Sequence, residues 1–174
     1  MLPFQPHSGE ALNIDLTDFI AELYAIIMPL GLICSTDSQF HAIETGSEKP
    51  ESVVEILFRT LTIAFAPRTL GSSPPPWRSA AFAKRILLSA LQWPPDFALQ
   101  ALDFVAGLIA RDSKLEALLN TDERVCDGHY RVDVDDPQLS NPFGASFWEL
   151  HILRRHWHPQ VREAAGKLAR FAHS

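Results

Sequence analysis

Apolar residues recur three and four positions apart along most of this chain, the spacing that places side chains on one face of a helix. The first such stripe consists of Leu16, Phe19, Ile20, Leu23, Ile27 and Leu30. The second consists of Val54, Leu57, Phe58, Leu61 and Phe65. Helices with one apolar face bury it by packing against each other, so the sequence predicts an all-α fold.

Three further stripes follow after residue 80. The third consists of Ala83, Ile86, Leu87, Ala90 and Leu91. The fourth consists of Ala98, Ala101, Leu102, Val105, Leu108 and Ile109, with a short helical continuation expected at Lys114–Asn120. The last consists of Val161, Ala164, Ala165, Leu168 and Ala172. These five stripes, the continuation and a further helix expected at Pro142–His156 together predict six or seven helices joined by short links.

Proline and capping residues predict where these helices begin and end. Asp15 is suited to cap the first helix, and Pro29 should kink or end it. Pro50 lies near the start of the second helix, and Trp93–Pro95 separates the third from the fourth. The final two helices are predicted at Pro142–His156 and Pro159–Ala172.

Between these helices the pattern changes to a period of two. Apolar Tyr130, Val132 and Val134 alternate with polar residues, which indicates extended backbone with one apolar edge. No second strand is available to pair with it. We therefore expect residues 124–140 to form an extended arm lying across the helices.

Antiparallel helices with short links are typical of stacked helix pairs, so we expect an α-solenoid-like fold of irregular HEAT or armadillo type. No repeat of fixed period is visible in the sequence. The length of 174 residues suits one domain, residues 1–174. Because no Gly or Pro stop follows the last stripe, we expect a carboxy-terminal piece of a longer protein.

Composition excludes some functional classes. The chain has 15 basic and 21 acidic residues, net −6, which argues against a dedicated nucleic-acid module. No apolar run reaches the roughly 20 residues that span a bilayer, so no membrane association is expected. The two cysteines are too few for a disulfide framework or a zinc site and fit a reducing compartment, cytosol or nucleus.

Residues 135–159 concentrate the polar and aromatic side chains that could carry chemistry. A metal site could use Asp133, Asp135 and Asp136 with a nearby histidine, but no Gly or Glu follows where a calcium loop requires them. His151 and His156 lie five apart, whereas two ligands on one helix face need a spacing of four. No nucleophile elbow or phosphate loop is present. The sequence therefore predicts no metal, no cofactor and no enzyme.

Basic residues near the carboxy terminus leave nucleic-acid contact open as an alternative; they are Arg154, Arg155, Arg162, Lys167 and Arg170. Cations at helix ends also stabilise terminal carbonyls, which is the simpler interpretation. Residues 112–141 carry net −5 and residues 142–174 net +3. We expect the acidic arm to fold onto these basic neighbours, so that protein partners would be held by apolar or aromatic contacts.

A structural interpretation accounts for most of the stretch. Asp136 precedes a proline and should form a turn, and Asn141 should cap a helix that begins at Pro142. Trp148 should be a packing residue buried with Phe147 and Leu150. Glu149 should pair with a cation, Arg154, Arg155 or one on another helix. His158 precedes Pro159, so it should be extended.

The same stretch resembles the end of the CBF-type domain of nucleolar complex (NOC) proteins. The matching pieces are Asp136-Pro137, Ser140-Asn141, Trp148-Glu149-Leu150 and His156-Trp157-His158-Pro159 with Val161. Two earlier blocks, Gly9–Tyr24 and Phe82–Pro95, resemble the branch of the third NOC protein. Trp157 stands where many members have Tyr. The resemblance extends from about Gly9 to the end.

This resemblance implies a nucleolar assembly factor for the large ribosomal subunit. It implies a heterodimer with the second NOC protein, contact with the pre-ribosomal particle, and a role in replication licensing through origin-bound factors. No catalytic residue is implied. The alternative from another class is a domain that binds structured pre-rRNA directly.

Overall fold

The computed structural model describes residues 18–30, 52–66, 74–119 and 128–171. Residues 18–30 are helical and are called α1. Five further α-helices, α2 to α6, and two 3-10 helices follow within the described residues. They are α2 Val53–Ala64, α3 Pro76–Ala90, α4 Pro95–Ile109, the 3-10 helices Ser113–Leu118 and Pro142–Gly144, α5 Glu149–Leu153 and α6 Pro159–Arg170.

Local sequence explains where these helices start. Ser52 caps α2: its hydroxyl accepts from the Glu55 amide at 3.1 Å, while the Glu55 carboxylate accepts from the Ser52 amide at 2.8 Å. Helices α3, α4 and α6 each begin with proline at the first turn, where no amide hydrogen is needed. The predicted starts at Pro95 and Pro159 are confirmed. Asp15 and Pro50 lie outside the described residues.

Helices α3 and α4 form the centre of the molecule. They are joined by a four-residue link and pack on each other, and α4 also packs on α2 and α6. Aromatic rings fill the space between α1, α2 and this central pair. The ring centroid of Phe82 lies 5.2 Å from that of Tyr24 and 5.0 Å from that of Phe65. The ring centroids of Phe58 and Trp93 lie 5.8 Å apart. The stripes of α2, α3 and α4 predicted from periodicity face this core.

Residues 128–148 run across one side of the central pair and contain no α-helix or strand, only the 3-10 helix Pro142–Gly144. The amide of Arg131 donates to the carbonyl of Ser140 at 2.8 Å, which closes residues 131–140 into a loop with a turn at 132–133. The predicted extended arm is therefore wrong in its backbone shape, although the segment does lie across α1 and α3. Residues 124–127 lie outside the described ranges.

The helix predicted at Pro142–His156 is interrupted. Ala145 is extended, with φ −143° and ψ 148°, and the amide of Phe147 donates to the carbonyl of Leu118 at 2.7 Å instead of to a helical partner. That long-range bond divides the segment into a 3-10 turn and the short α5. The all-α prediction is confirmed, since the described ranges contain no strand. The solenoid-like stacking stays a prediction.

Candidate functional site

Two consecutive cations of α3, Lys84 and Arg85, are buried at the centre of the molecule, 0% and 1% exposed. Buried charges are costly unless they are paired and hydrogen-bonded. Both side chains find their partners in segments distant in sequence. They therefore define an internal polar cluster, formed by Lys84, Arg85, Tyr24, Tyr130 and Glu149, in which α1, α3 and residues 128–149 meet.

Lys84 pairs with Glu149 at the start of α5. Its Nζ lies 2.7 Å from Glu149 Oε1, and both side chains are fully buried. The same Nζ donates to the carbonyl of Ser146 at 2.7 Å and lies 5.3 Å from the ring centroid of Tyr130 and 5.5 Å from that of Trp148. The predicted cation for Glu149 thus comes from another helix, not from Arg154 or Arg155.

Burial raises the pKa of the Glu149 carboxyl, and the nearby ammonium of Lys84 opposes that rise. At 2.7 Å, Lys84 Nζ and Glu149 Oε1 form an ion pair at hydrogen-bonding distance. The buried Glu149 carboxylate therefore needs the positive charge of Lys84 to stay ionised. Carboxyl groups with a raised pKa also occur at catalytic sites. Here the Glu149 side chain is fully buried, and its ion pair with Lys84 joins α5 to α3.

Arg85 fastens the 131–140 loop to the helices. Its Nη2 donates to the carbonyls of Val132 and Val134, both at 2.8 Å, and its Nη1 donates to the carbonyl of Tyr24 at 3.1 Å. Nη1 also reaches Asp135 Oδ1 at 3.2 Å, although that carboxylate is 75% exposed and the pair is solvent-screened. The guanidinium lies 3.8 Å from the ring centroid of Tyr24.

This arrangement corrects the expectation that the acidic arm would fold onto the basic carboxy-terminal residues. Within the described residues the arm contacts cations of α3: Arg85 reaches Asp135, and Lys84 lies near the Tyr130 ring. The physical reason is that a buried guanidinium needs acceptors for its N–H groups. Four acceptors contact Arg85: the loop carbonyls of Val132 and Val134, the Asp135 carboxylate and the carbonyl of Tyr24. Lys167 instead pairs with Glu163 on its own helix at 2.8 Å.

Two tyrosine hydroxyls close the cluster. Tyr24 of α1 and Tyr130 of the loop lie 3.0 Å apart, oxygen to oxygen. Burial is the largest cause that raises the pKa of Tyr130 above its ordinary value, followed by the neighbouring Tyr24. The hydrogen bond between the two hydroxyls joins the loop to α1.

The turn predicted at Asp136 is confirmed. Its Oδ1 accepts from the amide of Gln138 at 2.8 Å and its carbonyl accepts from the amide of Leu139 at 3.2 Å. Ser140, fully buried, donates to the carbonyl of Pro137 at 2.8 Å. Asp136 is exposed and has a structural position.

Asn141 does not act as the predicted helix cap. It adopts left-handed backbone, φ 49°, and its side-chain amide donates across the loop to the carbonyl of His129 at 3.3 Å. The side chain lies between Gly128 and Gly144, because a Cβ built on either glycine would fall 2.6 Å from Asn141 Nδ2. Asparagine tolerates positive φ better than most residues. Asn141 does precede the 3-10 helix at Pro142, but its side chain joins the two ends of the loop instead of capping that helix.

Trp148 is not the buried packing residue that the sequence predicts. It is 42% exposed, whereas Phe147 and Leu150 beside it are 4% and 3% exposed. Its ring covers the Lys84 ammonium and lines a shallow cavity of about 530 Å³ with Leu88, Tyr130 and Val132. Trp148 directly precedes α5, and part of its side chain faces solvent.

The histidine-rich turn between α5 and α6 is ordered by its own side chains. His158 has extended backbone before Pro159, as predicted, and its amide donates to His156 Nδ1 at 3.1 Å. Arg162 Nη1 donates to the carbonyls of His156 and Trp157 at 2.9 and 2.8 Å. Partial desolvation lowers the pKa of His156.

Three predicted site residues of this turn are exposed: Trp157, Arg154 and Arg155. In the described ranges no group of three or more His, Cys, Asp or Glu side chains is placed to hold a metal ion. None of the helices there is long and apolar enough to cross a membrane. The predictions of no metal, no cofactor and no enzyme stay predictions.

The fold is therefore an all-α domain in which the buried side chains of Lys84 and Arg85 bind the 131–140 loop and α5 to the central helix pair. The model of the CBF/Mak21 family matches residues 1–165, and the chain belongs to that family. The resemblance inferred from the HWHP stretch and the two earlier blocks is confirmed.

Relatives bear nucleolar complex names. The chain is 30% identical over 167 residues to nucleolar complex-associated protein 3 of Schizosaccharomyces pombe, covering 90% of this chain and 22% of that protein. It is 31% identical over 166 residues to nucleolar complex protein 3 homolog of Danio rerio, covering 95% of this chain and 18% of that protein. It is 30% identical over 156 residues to nucleolar complex protein 4 homolog of Homo sapiens, covering 88% of this chain and 26% of that protein. The chain thus spans about a quarter or less of these relatives.

Proposed function

We propose that the chain is a non-catalytic interaction domain of a nucleolar factor in ribosome biogenesis, and that it contributes to assembly of the large ribosomal subunit. Membership of the CBF/Mak21 family, with relatives named nucleolar complex proteins, is the observation that carries this proposal. The nucleus and nucleolus are the localisation that these names support. The partner we propose is another family member, the second nucleolar complex protein, in a heterodimer.

The use of polar residues supports a non-catalytic role. The charged groups of Lys84, Arg85 and Glu149 are all engaged in contacts inside the molecule, which join α3 to the 131–140 loop and to α5. Catalytic acids and bases need access to a substrate, and these groups have none. A domain whose charged centre is sealed in this way acts through its surface.

An apolar groove between α1 and α2 is the surface we propose for the protein partner. Phe19 and Ile26 of α1 are each 44% exposed, although their helix packs on the core through its other face. The groove has a volume of about 300 Å³. It is lined by Phe19, Glu22, Leu23, Ile26, Leu30, Val53, Ile56, Leu57 and Thr60.

The chemistry of the groove selects its occupant. Of the two polar residues that line it, Thr60 already donates to the carbonyl of Ile56 at 2.8 Å, so no buried polar group there requires a partner. Asp18 and Glu22 are exposed one turn apart on α1. An amphipathic helix with an apolar face and flanking Lys or Arg residues fits this combination by helix-in-groove recognition.

Two finer roles belong to the same proposal. The stacked helix pairs would offer a long face to the pre-ribosomal particle, as solenoid-like folds do. A role in replication licensing through origin-bound factors follows from the resemblance alone. The alternative function, direct binding of pre-rRNA, is favoured by one specific observation, the exposed basic and aromatic turn at residues 154–157.

The test is co-purification of the tagged chain with the second nucleolar complex protein and with precursors of the large subunit on sucrose gradients. Ile26→Glu places a charge in the groove and should abolish the protein interaction. Ile63→Glu is the matched control, because Ile63 is 71% exposed on α2 and does not line the groove.

Retention of the partner by Ile26→Glu, or its loss in both variants, would contradict the groove assignment. Absence of any nucleolar complex protein and of subunit precursors in the wild-type purification would contradict the proposed function itself. Circular dichroism melting of each variant separates loss of binding from loss of fold.

A further inference from the structure

The turn from α5 into α6 concentrates positive charge. Residues 151–162 contain three arginines and three histidines and neither Asp nor Glu. The nearest acidic residues in sequence are already engaged, Glu149 by Lys84 and Glu163 by Lys167. Across the described ranges no carboxylate lies within 4.0 Å of the Arg154 or Arg155 guanidinium. Both side chains are exposed, so their charge faces solvent.

Trp157 projects from the same turn and is 73% exposed. Its ring centroid lies 5.5 Å from that of His156, with an interplanar angle of 31°, and 5.4 Å from that of His158, nearly perpendicular. His156 therefore backs part of the indole while much of its surface stays open to solvent. A supported aromatic surface of this kind can accept one further flat ring by stacking.

The backbone that carries Trp157 is held in place before any ligand arrives. Arg162 donates to the carbonyls of both His156 and Trp157, and the amide of His158 donates to His156 Nδ1. Arg162 is thus a positioning residue. A preorganised aromatic side chain loses less conformational entropy on binding than a mobile one.

We propose that Arg154, Arg155 and Trp157 form a contact site for single-stranded RNA, in which an unpaired base stacks on the open surface of Trp157 and the two arginines hold adjacent phosphates. Stacking on aromatic side chains beside a cationic track is how proteins bind single strands without sequence readout. This inference rests on the proposed function, which brings the domain to precursors of the ribosomal large subunit.

The surroundings of Trp157 favour RNA over a protein partner. A tryptophan at the centre of a protein interface is usually ringed by side chains that exclude water. Here its ring neighbours are histidines, and the exposed cations Arg154 and Arg155 precede it in the turn. The apolar groove of α1 and α2 is lined by a separate set of residues and remains the protein site.

Fluorescence anisotropy with a labelled 12-nucleotide oligouridylate tests the site on the whole chain. Trp157→Ala should weaken binding about five- to 150-fold, the range that stacking of one base provides. Trp157→Phe should retain most of the affinity, because a phenyl ring still stacks. Ile63→Ala removes a similarly exposed apolar side chain elsewhere and should bind like the wild type.

The charges give a second readout. The double change Arg154→Gln with Arg155→Gln should reduce the slope of log affinity against log salt by about 1.4, since each phosphate contact on a single strand contributes about 0.7. Lys167→Gln is the control, because Lys167 is already paired with Glu163 and its removal should leave the slope unchanged.

Three results would overturn the site: no oligouridylate binding by the wild type at low salt, equal affinity of Trp157→Ala and wild type, or an unchanged salt slope in the double arginine variant. Tighter binding of polyglutamate than of oligouridylate, with the same dependence on Trp157, would assign the surface to an acidic protein instead. Trp157→Ala should still co-purify with the nucleolar complex partner, so failure of that partner to bind the wild type refutes the proposed function separately.

Discussion

Replacing Lys84 by methionine tests whether the buried ion pair holds α3 and α5 together. At 2.7 Å the attraction between Lys84 and Glu149 is about 6 kcal/mol with an effective dielectric constant of 20. Removal of one partner leaves the other charge buried and unpaired, which costs about 3–5 kcal/mol. For a domain of this size that loss lowers the melting temperature by about 6–20 °C.

The double variant Lys84→Met with Glu149→Met should recover much of this loss. Both charges are then absent, and apolar side chains of similar length fill the space, an exchange that is often neutral or stabilising. The carbonyl of Ser146 loses its donor in both cases, so recovery stays incomplete by roughly 1–3 kcal/mol. Chemical denaturation of the four proteins of the cycle gives the coupling free energy.

The exposed pair of Lys167 and Glu163 is the matched control. It joins the same residue types at nearly the same distance, 2.8 Å, but both side chains are 65% exposed. Lys167→Met should leave the melting temperature unchanged. If Lys84→Met also leaves it unchanged, or if the double variant is as unstable as the sum of the two single changes, the assignment of Lys84–Glu149 as a coupled buried pair is wrong.

Three further predictions concern the loop and its neighbours. Trp148→Ala should cost only about 1–2 kcal/mol of unfolding free energy because its side chain is 42% exposed, whereas Phe147→Ala, 4% exposed, should cost about 3–5 kcal/mol; equal losses in denaturant titrations would show Trp148 to be buried in solution. Gly144→Ala should destabilise by about 1–3 kcal/mol, since the added Cβ would lie 2.6 Å from Asn141 Nδ2 and 3.1 Å from the Gly128 carbonyl carbon. A second change, Asn141→Gly, removes the closer contact and should restore part of that loss; no restoration would refute Asn141 as the steric cause. The folded pKa of Tyr130 lies above its unfolded value of 10.0, so this tyrosine contributes stability that is lost as pH rises above 10; Tyr130→Phe should show a shallower loss of stability there, and an identical pH profile would contradict it.

Periodicity was sufficient to predict the helices because it is a local property. The stripes of α2, α3 and α4 and residues Val161, Ala165 and Leu168 of α6 face the core, whereas Ala172 lies outside the described residues. Proline at the first turn fixed the starts of α4 and α6. Where a distant bond decides the backbone, local pattern failed: the amide of Phe147 reaches Leu118, and a continuous helix from Pro142 is lost.

The internal polar cluster was missed, although α3 carried a signal for it. Ala80–Ala90 is apolar on nearly every face, which is typical of a buried helix, so the two cations within it had to be buried too. Their partners could not be read from sequence, because Lys84 and Glu149 are 65 positions apart and only tertiary packing brings them together. The alternation at Tyr130–Val134 similarly reflected carbonyls bound to Arg85 and not an extended strand.

Hydrogen–deuterium exchange of the chain, with and without the second nucleolar complex protein, tests most directly that the domain works by presenting the α1–α2 groove to a protein partner. Amides of residues 18–30 and Val53–Ala64 should gain protection on complex formation, while those of α3 and α4, which form the centre of the core, should stay as they are. Protection confined to residues 151–162, or none anywhere in a complex that demonstrably forms, would contradict the account.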